Sequence, residues 1–404
     1  MKQSLKGMRV CALVSNDTSI DSRVKKECAA LAEAGAEVTL VGQSGPKPYP
    51  GDVSKLPYEL ILTRQPEVPR WYARWGRETV FYPLRVAVNL SLEPFRRRLF
   101  SVRPWILKAV RGRTFDVIHA NDFDMLATGA ELARRCGAKL VYDSHEIYLA
   151  PGRVIASERY VAQLRERERE LVQKVDGFIT VNPKIAEYLA DLYHTPVDPI
   201  TIYNGSTTRV TESVPAHKLL RVLFLGTPQP FFNLPRLIPQ MERFRGKLEL
   251  TIQGHSGEID AVKEAITSSG TADFIHVLPS VDTYSIVDSI KDFDLGLNNM
   301  QASNLNEVMS SPNKFFDYLA AGLGSIASKQ QVFLSSVVEE TGCGYVYDQR
   351  EPEDLLHAIN YLVDHPDEVT AMKRNALAAS QQFLWDVQKL KLVELYSSLQ
   401  EGLS

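Results

Sequence analysis

The sequence predicts an α/β protein made of two successive doubly wound domains, and three observations predict it. Short apolar runs alternate with helical patterns between residues 9 and 204. A polar stretch, STTRVTESVPAHK (206–218), then breaks the rhythm. The rhythm restarts at Leu220 and continues to residue 348. Strands that alternate with helices pair in parallel, because each helix carries the chain back to the start of the next strand. A chain of 404 residues is long enough for two such cores.

The apolar run RVCALV (9–14) is the first strand. DSRVKKECAALAEAG (21–35) follows as a helix, with Val24, Cys28, Leu31 and Ala32 at helical spacing and a glycine stop. EVTLVG (37–42) completes a β-α-β unit. The pattern resumes with strand DVIHA (116–120), a helix over 123–135, strand KLVYDS (139–144) and a charged helix over 156–174. FITV (178–181), a helix from Pro183 and ITIYN (200–204) finish this half. Beyond the linker come LRVLFLG (220–226), LELTIQG (248–254), FIHVL (274–278), DLGLN (294–298), SIAS (325–328) and GYVYD (344–348). Helical segments separate most of them. A last helix at about 385–400 carries Val387, Leu390, Leu392, Val393 and Leu395, beyond the second domain's own series. Two such domains are expected to set their strand carboxyl ends across a cleft, where ligands of open parallel sheets bind.

Composition narrows the function classes. Hydrophobic residues make up 44% and charged residues 24%, an ordinary globular balance that excludes disorder, collagen and coiled coil as the dominant state. The net charge of −3 gives no support for a nucleic-acid binder. Cys11, Cys28, Cys136 and Cys343 lie too far apart for a disulfide framework or a zinc ribbon. No signal-peptide core and no stretch of about 18 apolar residues is present, so the expected location is the cytoplasm.

Several segments fall in a telling order: DSRV with its helix and EVTLVG, FDVIHANDFDMLATGAELARRCGAKLVYDSHEIY, DGFITVNPKIAEYL, IYNGS and SPNKFFDYLAAGL. Together they resemble family 4 glycosyltransferases, which have the GT-B architecture, and FLWDVQKLKLVELYSSL resembles that family's last, crossing-back helix. The resemblance implies an N-terminal acceptor-side domain over 1–205 joined by the C-terminal helix 385–404, a linker at 206–218 and a nucleotide-sugar-binding domain over 219–384. It implies retaining sugar transfer from a nucleotide-diphosphate sugar to a glycan or lipid-linked acceptor in cell-surface polysaccharide or glycoconjugate assembly. No metal or other cofactor is expected.

That reaction expels a diphosphate, so cations, N–H donors or helix N-termini must face it. By the resemblance, Asp317 serves the ribose, where most relatives carry the second Glu of a Glu-x7-Glu pair. The first Glu falls at Met309, with Glu307 two residues away as a substitute. Lys314 is the basic candidate near the diphosphate, with Asn313 beside it. The loop QASNLNEVMSSP (301–312), including Ser311, leads into their helix as a cradle for sugar hydroxyls and phosphate. Gly254 in GHSG permits close approach of backbone to ligand. Thr227 and Asn233 stand where many relatives carry an Arg and a Lys on the diphosphate, and Arg236 is the nearest cation. Arg23 is a further phosphate candidate, set against a plain helix start with an exposed Arg. His145 is the first candidate for catalysis, as hydrogen-bond donor to the leaving group or as proton shuttle. His119, Asp122 and Glu146 are the other catalytic candidates, all at strand carboxyl ends. The two Asp-x-Asp tripeptides at 122–124 and 292–294 are read as no metal site, the second lying at the wrong end of its strand. Met309, Thr227 and Asn233 also motivate an alternative, a catalytically degenerate protein that acts as partner or scaffold.

The average charge hides one segment. Residues 65–113 hold eleven Lys or Arg against three Asp or Glu, a local +8 that leaves −11 for the rest. Trp71, Trp75, Phe81, Tyr82, Phe95, Phe100 and Trp105 lie in the same segment. A basic, aromatic, partly helical insertion suits peripheral contact with an anionic membrane at its inner face. A solvated basic helix and a self-association surface are the alternatives.

Overall fold

The computed structural model describes residues 4–18, 21–44, 52–63, 102–150 and 157–402. The chain divides into two compact units, Met1–Ile202 with Lys389–Ser404, and Tyr203–Gln388. The basic segment that starts at residue 65 lies outside the described residues up to 101.

The first unit is a parallel sheet of seven strands in the order β3-β2-β1-β4-β5-β6-β7. These are β1 (Arg9–Asp17), β2 (Glu37–Gln43), β3 (Glu59–Thr63), β4 (Val117–Asn121), β5 (Lys139–Ser144), β6 (Gly177–Thr180) and β7 (Ile200–Thr201). Helices α1 (Ser22–Glu33), α2 (Pro104–Ala109), α3 (Phe123–Cys136), α4 (Glu158–Val172) and α5 (Pro183–Tyr193) connect them. Central strands such as β4 and β6 are buried at every position, which is why they read as continuous apolar runs. Helix starts follow their caps: Asp21 accepts from Val24 N–H, and Asn182 accepts from Ile185 N–H ahead of Pro183. The helix α3 ends on Gly137 in the left-handed conformation.

Two expectations need correction here. The strand expected over 200–204 stops at Thr201, because its partner β6 ends at Thr180, which pairs with Thr201. The strand β3 escaped the sequence reading, because this edge strand is only partly buried and its apolar run, Leu60 to Leu62, is just three residues long.

The second unit is a six-stranded parallel sheet in the order β10-β9-β8-β11-β12-β13. Its strands are β8 (Leu220–Leu225), β9 (Leu248–Gln253), β10 (Ile275–Leu278), β11 (Leu295–Asn298), β12 (Gly324–Ser328) and β13 (Gly344–Tyr347). The helices that matter below are α6 (Leu305–Met309), α7 (Asn313–Ala320) and α8 (Pro366–Ser380). Leu220, Val222, Phe224, Leu250, Ile252, Leu295 and Ile326 anchor a core on this sheet. Burial of such side chains contributes about 1.5–3 kcal/mol each before entropy is counted.

Candidate active site

Both sheets reverse their strand order beside the first strand of the unit, between β1 and β4 and between β8 and β11. The carboxyl ends at such a switch point flank the crevice where ligands of open α/β sheets bind. In each unit the chemistry-bearing residues gather there.

In the first unit, Asp122 follows β4 and His145 follows β5. Asp122 has φ 64° and ψ 162°, a conformation that costs a non-glycine residue of order 1–3 kcal/mol. Its carboxylate accepts the His145 backbone N–H at 3.2 Å and lies 3.4 Å from the ring Nδ1. The ring's Nε2 lies 3.3 Å from Asp143 Oδ2. Burial opposes charge on His145, but Asp122 and Asp143 outweigh it and lift the ring to about 10. Burial, aided by Glu146 and Asp124, pushes Asp122 up to about 7 against the pull of His145.

Below this pair lies a buried charge cluster. Arg23 donates from Nε and Nη2 to the two oxygens of Asp143, both at 3.0 Å, and from Nη1 to the Ile202 carbonyl at 2.8 Å. The same Nε lies 3.0 Å from Glu27 Oε1. His119 bonds Tyr396 Oη through Nδ1 at 2.7 Å, and its Nε2 lies 3.7 Å from both Glu27 and Asp143. Glu27, His119 and Asp143 bring one potential ligand atom each within 4.8 Å of one another. Arg23 Nε already sits on both carboxylates, so the cation that balances them is the protein's own. Burial would raise Asp143, yet Arg23 and His145 hold it well below the usual carboxylate range. Burial lifts Glu27 to about 8, with Asp143 adding to the rise and Arg23 resisting it.

In the second unit, Lys314 and Asp317 lie on α7, the helix that begins just after the loop from β11. Lys314 Nζ is shielded from solvent and has no hydrogen-bond partner among the described residues. It sits 3.7 Å from the centre of the Phe224 ring and 4.2 Å from that of Phe232. Burial pushes Lys314 down to about 7. Its Cε stands 3.9 Å from where a side chain on Gly226 would begin, and a Cβ on Gly254 would lie 2.1 Å from the Gly226 carbonyl oxygen. Only glycine at 254 lets the two loops meet beside the ammonium. Asp317 Oδ1 accepts from Ser206 Oγ at 2.5 Å, and Asn313 Oδ1 accepts from Asn204 Nδ2 at 2.8 Å.

The structure thus brings His145 and Asp122 together with Glu146 next in sequence, and sets Lys314, Asn313 and Asp317 on one helix with Lys314 beside Gly226. Ser311 is partly buried two residues before α7. Three assignments are corrected. Arg23 is 3% exposed with its guanidinium hydrogen-bonded inside the unit, so it is not the exposed arginine expected at a plain helix start. His119 is 1% exposed, with its ring in the core and hydrogen-bonded to Tyr396. Glu307 spends its carboxylate on the N–H and hydroxyl of Ser303 while Asn304 caps Glu307 N–H, an arrangement that starts α6. Arg236 is exposed, so it adds no shielded cation. Of the second Asp-x-Asp, Asp294 is a core residue bound to Lys373 at 2.8 Å and to His217. Sequence reasoning missed Asp143, Glu27, Ser206 and the Phe224–Phe232 pair; only the spacing of Asp143 two residues before His145 signalled any of them.

Residues 20–205 match the model of the glycosyl transferase 4-like domain. A D-inositol 3-phosphate glycosyltransferase from Thermobispora bispora is 23% identical over 319 residues, 71% of each chain. The fold is similar to that of a sucrose-phosphate synthase from Thermosynechococcus elongatus, with a TM-score of 0.73 at 16% identity over 98% of this chain and 100% of that one. It is also similar to Anabaena HepE solved in complex with UDP, with a TM-score of 0.67 at 17% identity over 97% and 100% of the two chains.

Proposed function

We propose that this chain, a glycosyltransferase of the family-4-like kind on a GT-B fold, moves a sugar from a nucleotide-diphosphate sugar to a glycan or lipid-linked acceptor with retention at the anomeric carbon. The observation that carries the donor half of this reading is Lys314, a shielded ammonium with no acceptor among the described residues, beside the Gly226–Gly254 loops. An anion with several oxygens supplies what that ammonium lacks, and a diphosphate fits. HepE was solved with UDP, which makes a uridine nucleotide the first donor to test.

In this reading Lys314 and the N–H groups at the start of α7 take the diphosphate, while Asn313 helps to orient it. Asp317 accepts the ribose hydroxyls, held in place by Ser206. His145 supplies a cationic N–H for the charge that develops on the leaving phosphate, and Asp122 holds and aims its ring. The cations are side chains, so no metal is required. Thr227 and Asn233 supply no charge, and within the second unit Lys314 takes over that work. A cell-surface glycoconjugate acceptor accords with the basic 65–113 segment.

Transfer by Asp317→Ala and His145→Ala tests the assignment, and each is expected to lose about 10²–10³-fold in kcat/KM with folding intact. Full activity in both would show that the site lies elsewhere. A thermal-shift screen against UDP-, GDP- and ADP-sugars, followed by turnover, names the nucleotide. No response at millimolar donor and no turnover would favour a scaffold instead.

A further inference from the structure

His145 stands between two carboxylates, one at each ring nitrogen. Asp122 Oδ2 lies 3.4 Å from Nδ1 and Asp143 Oδ2 lies 3.3 Å from Nε2. A neutral imidazole has one N–H and one lone pair, so it would point a lone pair at one of these anions. Only the doubly protonated ring offers an N–H to both. Asp143 in turn is fully buried and gripped by Arg23 at both oxygens. That grip fixes the carboxylate as an anion and aims it. We propose that Asp143 is a positioning residue that, with Asp122 opposite, locks His145 as a permanent imidazolium, and that Arg23 is the counter-ion that keeps Asp143 ionised for this task.

The inference deepens the proposed function, on which its catalytic meaning rests. It decides between two roles for His145. A locked imidazolium is a fixed cation and N–H donor for a phosphate leaving group, and it does not shuttle protons between acceptor and donor. The two carboxylates differ in their hold. Asp143 is buried and doubly anchored, whereas Asp122 is strained, partly exposed and easier to protonate. Both separations exceed the 2.7–2.9 Å usual for a charge-assisted bond, which leaves the ring room to exchange Asp122 for a phosphate oxygen. Charged and titratable groups among the described residues surround the ring. Asp122 and Asp143 flank the two ring nitrogens, and the partly buried Glu146 is next in sequence. Arg23 and Glu27 come from α1, His119 from β4, and Tyr396 from the C-terminal helix (Trp385–Glu401). Arg23 opposes charge on the ring, and the two aspartates outweigh it.

The test is an NMR titration of the His145 ring in the unliganded full chain, with its resonance assigned by its loss in His145→Gln. In the wild-type protein the ring is expected to stay protonated through pH 8. In Asp143→Asn it is expected to titrate at least ten times more readily, its midpoint moving at least one pH unit toward the ordinary histidine range. The pH profile of kcat/KM is then expected to gain a falling basic limb at that midpoint. A wild-type ring that deprotonates near pH 6.5 overturns the proposal, and this outcome needs no variant at position 143 to fold. So does an Asp143→Asn enzyme that loses the same activity at every pH while His145 stays protonated, for then Asp143 is merely structural. Failure of the functional reading is distinct: His145→Gln would transfer sugar at the wild-type rate, whatever the ring's titration.

Discussion

Lys314 holds its Nζ over two aromatic rings with no hydrogen-bond acceptor among the described residues, and burial pushes it down to about 7. Such an ammonium destabilises the unliganded fold and is rescued by an anion. Lys314→Met is therefore expected to stabilise the unliganded protein by about 1–4 kcal/mol in a denaturant melt. The same variant should weaken UDP binding about 10–100-fold by calorimetry, the worth of a hydrogen bond to a charged group. The sign of the pH effect follows from the depressed value. The free lysine is charged below about 7 and the bound one must be charged, so wild-type affinity should fall as pH rises above about 7. Lys314→Met should lose this contribution to the pH dependence. A variant that melts lower than wild type and binds UDP unchanged would remove Lys314 from the site.

Elements are held by buried polar links as well as by apolar packing. Glu168 on α4 accepts Tyr142 Oη from β5 at 2.7 Å and Tyr193 Oη from α5 at 2.6 Å, joining three elements around one carboxyl. Burial lifts this group to about 7, only partly opposed by the two hydroxyls. In the unfolded chain it ionises near its ordinary value of about 4.3. The native state thus holds a proton that the unfolded state has lost. Its stabilising contribution is complete below about 4.3 and fades as pH rises through about 7. Between pH 5 and 8, Glu168→Gln should flatten the fall of unfolding free energy by roughly 1–3 kcal/mol, read from urea melts. An unchanged slope would mean that Glu168 is ionised in the native state. Packing sets other limits at this scale. Tyr318 of α7 accepts Leu225 N–H at 2.9 Å and donates to Leu223 O, and its ring fills the space that a side chain at Gly296 would occupy. That contact fixes α7, and with it Lys314 and Asp317, against β8 and β11.

For the whole molecule, the charge asymmetry between the +8 segment and the remaining −11 is the feature that bears on location. Among the described residues no helix is long and apolar enough to cross a membrane. In the proposed reading the chain meets a lipid-linked acceptor by peripheral attraction. It should then sediment with vesicles that contain anionic lipid at low ionic strength and release as salt shortens the Debye length to about 3 Å near 1 M. Replacing Arg96, Arg97 and Arg98 with serine should reduce the bound fraction several-fold while sugar transfer to a soluble acceptor is kept. Binding that ignores both salt and these arginines would exclude an electrostatic contact.

The alternation of apolar runs with helical patterns was enough to read two parallel sheets, because strand periodicity and helix caps are local properties of ten or so residues. The same locality put His145, Asp122, Lys314 and Asp317 at strand ends and a helix start. What the sequence did not reveal was the fate of each polar side chain. Arg23 begins a helix as its cap predicts, but its partner Asp143 stands 120 residues further on, and only the pairing of β1, β4 and β5 brings the two together. His119 looked like a second catalytic histidine until the fold set Tyr396 against its ring. Glu307 looked like a stand-in for an absent ligand until its carboxylate turned back to start its own helix. Secondary structure follows from neighbours in sequence, whereas charge, exposure and partnership follow from neighbours in space, and only the tertiary structure supplies those.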